Sequence, residues 1–270
     1  MITNRYLLPL LFCFFVLQGF SQSVKILEKQ EEPKLPPGRD FSYIEQGMDT
    51  SKLRFVATYE ATGFGEKSTI SSLFTVIKNN AKGVGANSFL LISFSEDFKN
   101  NSNTLVLKTY LMNDSTLIVN NSKHEKNVIY IFSNDTPDST ASVKFSINDT
   151  LVKLKSGKYF RKVTKTNEQL ELSQGGFSRG LYIYKRDYDL PDLYINLSGD
   201  EVRNAGVTSR RTGVTGSYIN KSFSLGIRVS KPIGLPVIDT NLGILLTKLM
   251  KPSRGKITPP DNTVYTNSGE

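Results

Sequence analysis

The chain has 270 residues, 38% of them hydrophobic and 10% aromatic, with a formal net charge of +9, one cysteine and one histidine. That content suffices for about two globular cores and excludes a chain disordered throughout. The single cysteine, Cys13, excludes disulfides within the chain and a cysteine-based zinc site, and the lone histidine, His124, excludes a multi-histidine metal centre.

Met1–Gln22 is predicted to be a secretory signal peptide of bacterial style. Arg5 supplies the positive start, Tyr6–Leu17 the apolar run, and Gln18–Gln22 a polar, small-residue exit. The run is shorter than the ~20 residues a membrane span needs; an uncleaved anchor is the alternative. Cys13 lies inside the run, after Leu11 and Phe12, so lipidation is not expected. The chain is therefore expected to be exported, periplasmic or associated with the outer envelope. Residues 23–50 are predicted to be an extended linker: Lys25–Arg39 is charged and holds Pro33, Pro36 and Pro37. Phe41–Met48 fits either a short helix or an irregular packing segment.

Residues 51–120 predict a β-α-β-β domain. Leu53–Tyr59 reads as a strand. Ser68 or Thr69 caps a helix on which Ile70, Leu73, Phe74, Ile77 and Ala81 form one apolar stripe. Gly83 and Gly85 end it. Phe89–Phe94 is an apolar run suited to a central strand, Ser95–Asn103 a loop, and Thr104–Met112 the partner strand. Leu117–Val119 suggests a short further strand.

The segment around Ala81, Gly85, Ala86 and Asn87, followed by Phe89, Leu91 and Ile92, resembles the Ala-x-x-x-Gly-Ala-Asn signature of small bacterial βαβ-type domains. These include the envelope stress-sensor lipoproteins of the RcsF type and the YbjQ-like family. The resemblance covers roughly Leu53–Met112. It implies a tight helix-to-strand connection at Gly85-Ala86-Asn87. The cysteines of the RcsF-type sensors have no counterpart here.

Asn120–Asn127 is polar and marks the predicted domain boundary. Residues 121–250 hold 19 Lys and Arg against 12 Asp and Glu, whereas residues 23–120 hold 11 of each, so the basic character belongs to the second half. From Val128 short strands recur at close spacing: 128–132, 143–147, 151–154, 159–163, 170–172, 181–184 and 193–197, with turns at Asn148-Asp149 and Lys155-Ser156-Gly157. That rhythm predicts an antiparallel β-sandwich. Tyr130, Phe132, Gly157, Tyr159 and Phe160 make the segment resemble the β-sandwich domains of DUF2846-type envelope proteins. Gly199–Gly216 reads as a long loop and Ser222–Val229 as a last strand. Asp239 or Thr240 caps a closing helix through Met250, carrying Leu242, Leu245, Leu246 and Leu249. Residues 251–270 read as a disordered tail. The expected fold class is α+β: the small β-α-β-β domain, the β-sandwich and the C-terminal helix.

No residue set completes a catalytic or metal-binding constellation, so no catalytic residue, metal or cofactor is assigned. His124 sits in a polar stretch without triad partners in sequence. Asp187, Asp189 and Asp192, with Asp200 and Glu201, are the carboxylates available for calcium or hydrolase chemistry, but they lack the glycine and terminal glutamate of an EF-hand loop. Gly175 and Gly176 lack the lysine-serine pair of a phosphate loop. Arg203, Arg210 and Arg211, with Arg161 and Lys162, are the candidate binding residues of a basic surface. The function expected is that of a non-catalytic interaction or accessory protein of the bacterial envelope. The alternative is a binding module for anionic lipid or polysaccharide, and a carboxylate-dependent hydrolase ranks below both. The expected partner is an envelope protein or an anionic lipid or polysaccharide. A physiological nucleic acid is not expected, nor is integral membrane insertion after signal cleavage.

Overall fold

The structure, a computed structural model, describes residues 22–30, 40–133, 142–174, 180–184, 189, 191–197, 229–230 and 237–253. Residues 1–21 of the predicted signal peptide, the prolines of 31–39, the Gly199–Gly216 loop and the tail from 254 lie outside the described residues. The fold is α+β and divides into two units. Unit 1 takes the chain up to Glu125 and also Asp239–Met250; unit 2 takes Lys126–Asn134, Ser139–Ile238 and the residues from Lys251.

In unit 1, strands β1 (Gln22–Lys29), β2 (Ser42–Tyr43), β3 (Arg54–Phe64), β4 (Ser88–Asp97) and β5 (Ser102–Leu111) form a sheet in the order β1-β3-β5-β4-β2. Neighbours are antiparallel except β2 and β4. Helix α1 (Ile70–Gly83) starts at Thr69, whose hydroxyl accepts from the Ser72 amide at 3.1 Å. Its buried positions are Ile70, Leu73, Phe74, Ile77 and Ala81, the predicted stripe, joined by Ser71. The helix lies on β3 and β5, where Ala57, Tyr59, Ala61, Leu105 and Leu107 are buried. The small side chains Ala57 and Ala61 leave room for the large ones on the helix. Phe41, Phe74 and Phe89 pack as one aromatic group, with Phe41 stacked on Phe89 at 4.7 Å and Phe74 5.2 Å from Phe89. Gly63 is required by close approach: a Cβ there would stand 2.0 Å from the Lys67 carbonyl oxygen.

Three features of this unit differ from the sequence expectation. Gln22–Lys29, its first residue expected at the end of the signal peptide and the rest in an extended linker, is the edge strand β1. Its alternation is weak and mostly exposed, because only one edge and part of one face find partners. The strand suggested at Leu117–Val119 is helix α2 (Asp114–Ser122), nucleated by Asn113, whose side-chain oxygen accepts from the Thr116 amide at 2.8 Å. The expected loop 95–103 is shorter, because β4 runs to Asp97 and β5 starts at Ser102.

The closing helix α3 (Thr240–Leu249) belongs to unit 1, whereas the sequence sets it at the end of the 121–250 domain and leaves it able to pack across either domain. The Asp239 carboxylate caps it, accepting from the Asn241 and Leu242 amides, and pairs with Lys78 of α1 at 3.6 Å. The Tyr43 amide donates to the Asn241 side-chain oxygen at 2.9 Å. Leu242, Ile244, Leu245 and Leu246 are buried.

Unit 2 carries two sheets. The first has the order β13-β11-β10-β7-β8: β7 (Ser142–Ile147), β8 (Thr150–Lys155), β10 (Gln169–Ser173), β11 (Gly180–Tyr184) and β13 (Val229–Ser230). The second has the order β12-β6-β9-β14: β6 (Val128–Phe132), β9 (Lys158–Val163), β12 (Leu193–Asn196) and β14 (Lys251–Pro252). The first is antiparallel throughout. The second mixes one antiparallel pairing, β6 with β9, with parallel pairings of β12 to β6 and β14 to β9. Ile129, Ile131 and Ile195 of the second sheet meet Phe145, Val152, Leu154, Leu170, Leu172 and Ile183 of the first in one core. Alternation on β7 and β8 sends the lysines to the other face. The β7–β8 turn uses Asn148 and Asp149, both at positive φ, the conformation of a two-residue hairpin turn. Of the predicted strand Ser222–Val229, only Val229 is described, where it starts β13.

Candidate functional site

The Gly-Ala-Asn segment is structural in every bond it makes. Gly85, at φ +93°, follows the α1 cap residue Val84. Its amide donates to the Lys82 carbonyl at 3.1 Å, and the Ala86 amide donates to the Ala81 carbonyl at 3.0 Å. These two bonds close a Schellman motif. Its apolar contact is supplied by Ala81 and Ala86, both fully buried. Asn87 then clamps the end of β5: its amide nitrogen donates to the Met112 carbonyl at 2.7 Å and its side-chain oxygen accepts from the Met112 amide at 2.8 Å.

A second asparagine clamp holds the segment after β2. Asn120 of α2 is fully buried. It donates to the Tyr43 carbonyl at 2.7 Å and accepts from the Glu45 amide at 2.8 Å. Just beyond the helix, His124 Nε2 stands 3.6 Å from Glu45 Oε1, with both side chains about five-sixths buried (16% and 15% exposed). At that distance no hydrogen bond forms, and Nε2 is buried without a hydrogen-bond partner. Burial pushes the imidazole below its ordinary pKa, and the Glu45 charge opposes that shift in part. Burial raises the neighbouring Tyr43 phenol, with Glu45 adding to it.

The sequence-predicted basic residues do not converge where they are described. Arg161 and Lys162 are successive on β9 and point to opposite faces. Arg161 Nε donates to the Tyr130 hydroxyl at 3.3 Å, with its guanidinium carbon 5.9 Å from that ring. Lys162 Nζ lies 2.7 Å from Glu168 Oε1, which neutralises it. Burial raises the Glu168 carboxyl, but the hydrogen bonds from Lys162 and the Lys165 amide outweigh it and hold the group below its ordinary value. Arg203, Arg210 and Arg211 lie outside the described residues.

The carboxylates are similarly divided. Asp192 is buried, accepting from the Val128 amide at 3.2 Å and the Tyr194 hydroxyl at 3.1 Å. Asp189 is exposed, accepting from Asn127 at 2.9 Å and standing 3.7 Å from Lys126. Asp187, Asp200, Glu201, Gly175 and Gly176 lie outside the described residues. Among the described residues no three of His, Cys, Asp and Glu come together to hold a metal ion.

Two surfaces went unnoticed in the sequence. On unit 2, the register of the β7–β8 hairpin sets Lys144 directly opposite Lys153, and Lys155 opposite Ser142. Lys144, Lys153, Lys155 and Leu151 are all exposed on that one face. No acidic partner pairs with these lysines among the described residues. The signal was available: Lys-x-Lys alternates against Val152 and Leu154, but the register that places Lys144 beside it was not. On unit 1, Ile26 and Leu27 of β1, Ile92 of β4, Phe98 in the following turn, and Ile118 and Val119 of α2 are exposed.

These observations define a two-unit α+β protein in which Asn87 and Asn120 act as backbone clamps. No protein-family model matches the chain, and no curated protein matches it. Among solved structures, the crystal structure of a Francisella virulence factor, FvfA, in the orthorhombic form aligns with 33% of this chain and 98% of its own length. The identity is 14% and the TM-score 0.27, a likeness too slight to inform fold or function. Among the described residues no helix is long and apolar enough to cross a membrane.

Proposed function

We propose that this chain is an exported protein of the bacterial cell envelope that acts by binding another protein, without catalysis of its own. The observation that carries the reading is the set of exposed apolar side chains on unit 1, Ile26, Leu27, Ile92, Phe98, Ile118 and Val119, each about half exposed or more. Apolar side chains left in water are a cost that a docked partner removes. Export rests on Arg5 and the apolar run Tyr6–Leu17. The test is in-cell photo-crosslinking of the tagged full chain, with the reactive residue placed at Ile118 or Phe98. A discrete envelope-protein adduct from these positions, absent from a control position such as Lys165, is the result expected. Turnover of a substrate by the purified chain, abolished by one side-chain change, overturns the non-catalytic reading.

A second reading, a module for anionic lipid or polysaccharide, draws on the lysines of the β7–β8 hairpin, which have no acidic partner among the described residues, rather than on Arg161 and Lys162, whose heads are engaged within unit 2.

A further inference from the structure

Like charges directly opposite each other on antiparallel strands destabilise the pair, because their Cβ atoms stand only about 5 Å apart. Lys144 and Lys153 are such a pair, and Lys155 extends the same face by one more step. Among the described residues the acids nearest the hairpin, Asp149 in the turn and Glu171, whose carbonyl accepts from the Asn148 amide, belong to its turn end. The lysines stand towards its open end, and β8 is the edge strand of its sheet. Between the two ends Leu151 is exposed on the lysine face, 47% of it in solvent.

We infer that the β7–β8 face is a docking surface for an anionic lipid bilayer: Lys144, Lys153 and Lys155 meet phosphate headgroups, and Leu151 enters the boundary beneath them. The charge selects a polyanion. Leu151 selects a lipid surface over a polysaccharide, because an exposed leucine among cations gains only where apolar chains lie just under the charge. The inference deepens the second reading and is independent of a protein partner for unit 1. It also accounts for the tolerated like-charge pair, since bound phosphates remove the repulsion that the free protein carries.

The experiment is co-sedimentation of the full chain with vesicles of phosphatidylcholine alone or of phosphatidylcholine mixed with phosphatidylglycerol, with dextran sulfate as the soluble polyanion. Binding is expected to the anionic vesicles only, falling as salt rises. The double reversal Lys144→Glu with Lys153→Glu lowers it by roughly tenfold or more, on the scale of one surface lysine per headgroup contact. Leu151→Ser weakens the part of the binding that survives high salt. Lys144→Glu alone is expected to weaken vesicle binding while raising the melting temperature, which separates lost binding from lost fold. Equal binding to neutral vesicles, or undiminished binding by the folded double variant, overturns the inference. Capture by dextran sulfate without vesicle binding also overturns it, in favour of a polysaccharide. None of these results bears on crosslinks made through unit 1.

Discussion

His124 is the residue whose setting sets a pH dependence. The charged group facing it from the segment after β2 is Glu45. Lys123 and Glu125 flank it in sequence just beyond the end of α2. On α3, Lys248 sits over the Tyr43 ring at 5.8 Å. Burial is the larger influence, so the folded chain holds its imidazole neutral further down the pH scale than the unfolded chain does. The unfolded chain therefore binds more protons as pH falls through about 6.5, and stability is lost in that window, levelling off below the depressed folded value. The loss comes from burial of the ring and is partly offset by the Glu45 charge. Urea titrations of the wild type and His124→Gln at a series of pH values read it. The variant should lack this part of the pH dependence, and Glu45→Gln, which removes the opposing charge, should enlarge it. Asn120→Ala is expected to cost about 1–3 kcal/mol, by leaving a buried carbonyl and amide without partners. The sequence displayed His124 as a polar-stretch residue and Asn120 as one asparagine among many. Neither setting was legible, because Glu45 and Tyr43 reach them across 79 and 77 residues of chain. Gly85 was legible, because the left-handed turn it makes is a property of the residue and its helix alone.

At the scale of elements, strong local chemistry was readable and weak local chemistry was not. Helix α1 has a cap, a five-member apolar stripe and a glycine stop, each visible in sequence. Helix α2 buries Asn120 fully and only half-buries Thr116 and Leu117, so its β-branched Ile118 and Val119 dominate the pattern and suggest a strand. Strand β1 failed for the opposite reason, since an edge strand exposing six of its eight residues carries little hydrophobic pattern. The β7–β8 hairpin was readable in its alternation and turn, but its register follows only from pairing. That register supports a stability prediction of its own. Lys144→Glu converts the Lys144–Lys153 pair to opposite charges and is expected to stabilise unit 2 by roughly 0.2–1 kcal/mol. Thermal melts at low and high salt check it: the gain should shrink as salt rises. A variant less stable than the wild type at low salt would mean that repulsion across the pair is already relieved in the free protein.

At the scale of the whole molecule, the chain leaves unit 1 after Glu125, re-enters it for Asp239–Met250 and returns to unit 2 from Lys251, so most of unit 2 lies between α2 and α3. An amphipathic helix announces that it will bury a stripe, but not in which core; the leucines of α3 fitted either unit. Its address comes from single polar contacts, Tyr43 to Asn241 across 198 residues and Lys78 to Asp239. Closing so long a loop costs only slowly rising entropy, but unit 1 is complete only after the intervening chain has been made. Leu245 is fully exposed to this dependence, because it is fully buried in the helix that returns last. Leu245→Ala is expected to destabilise unit 1 by about 2–5 kcal/mol through lost burial and a residual cavity. Hydrogen exchange of the full chain reads where the loss falls. Protection should drop in α1 and around β2, which α3 contacts, while β7, β8 and β10 exchange as in the wild type. A loss confined to the strands of unit 2 would instead make α3 part of the sandwich that the sequence first suggested. Equal loss in both would make the two units one cooperative body, unfolding together.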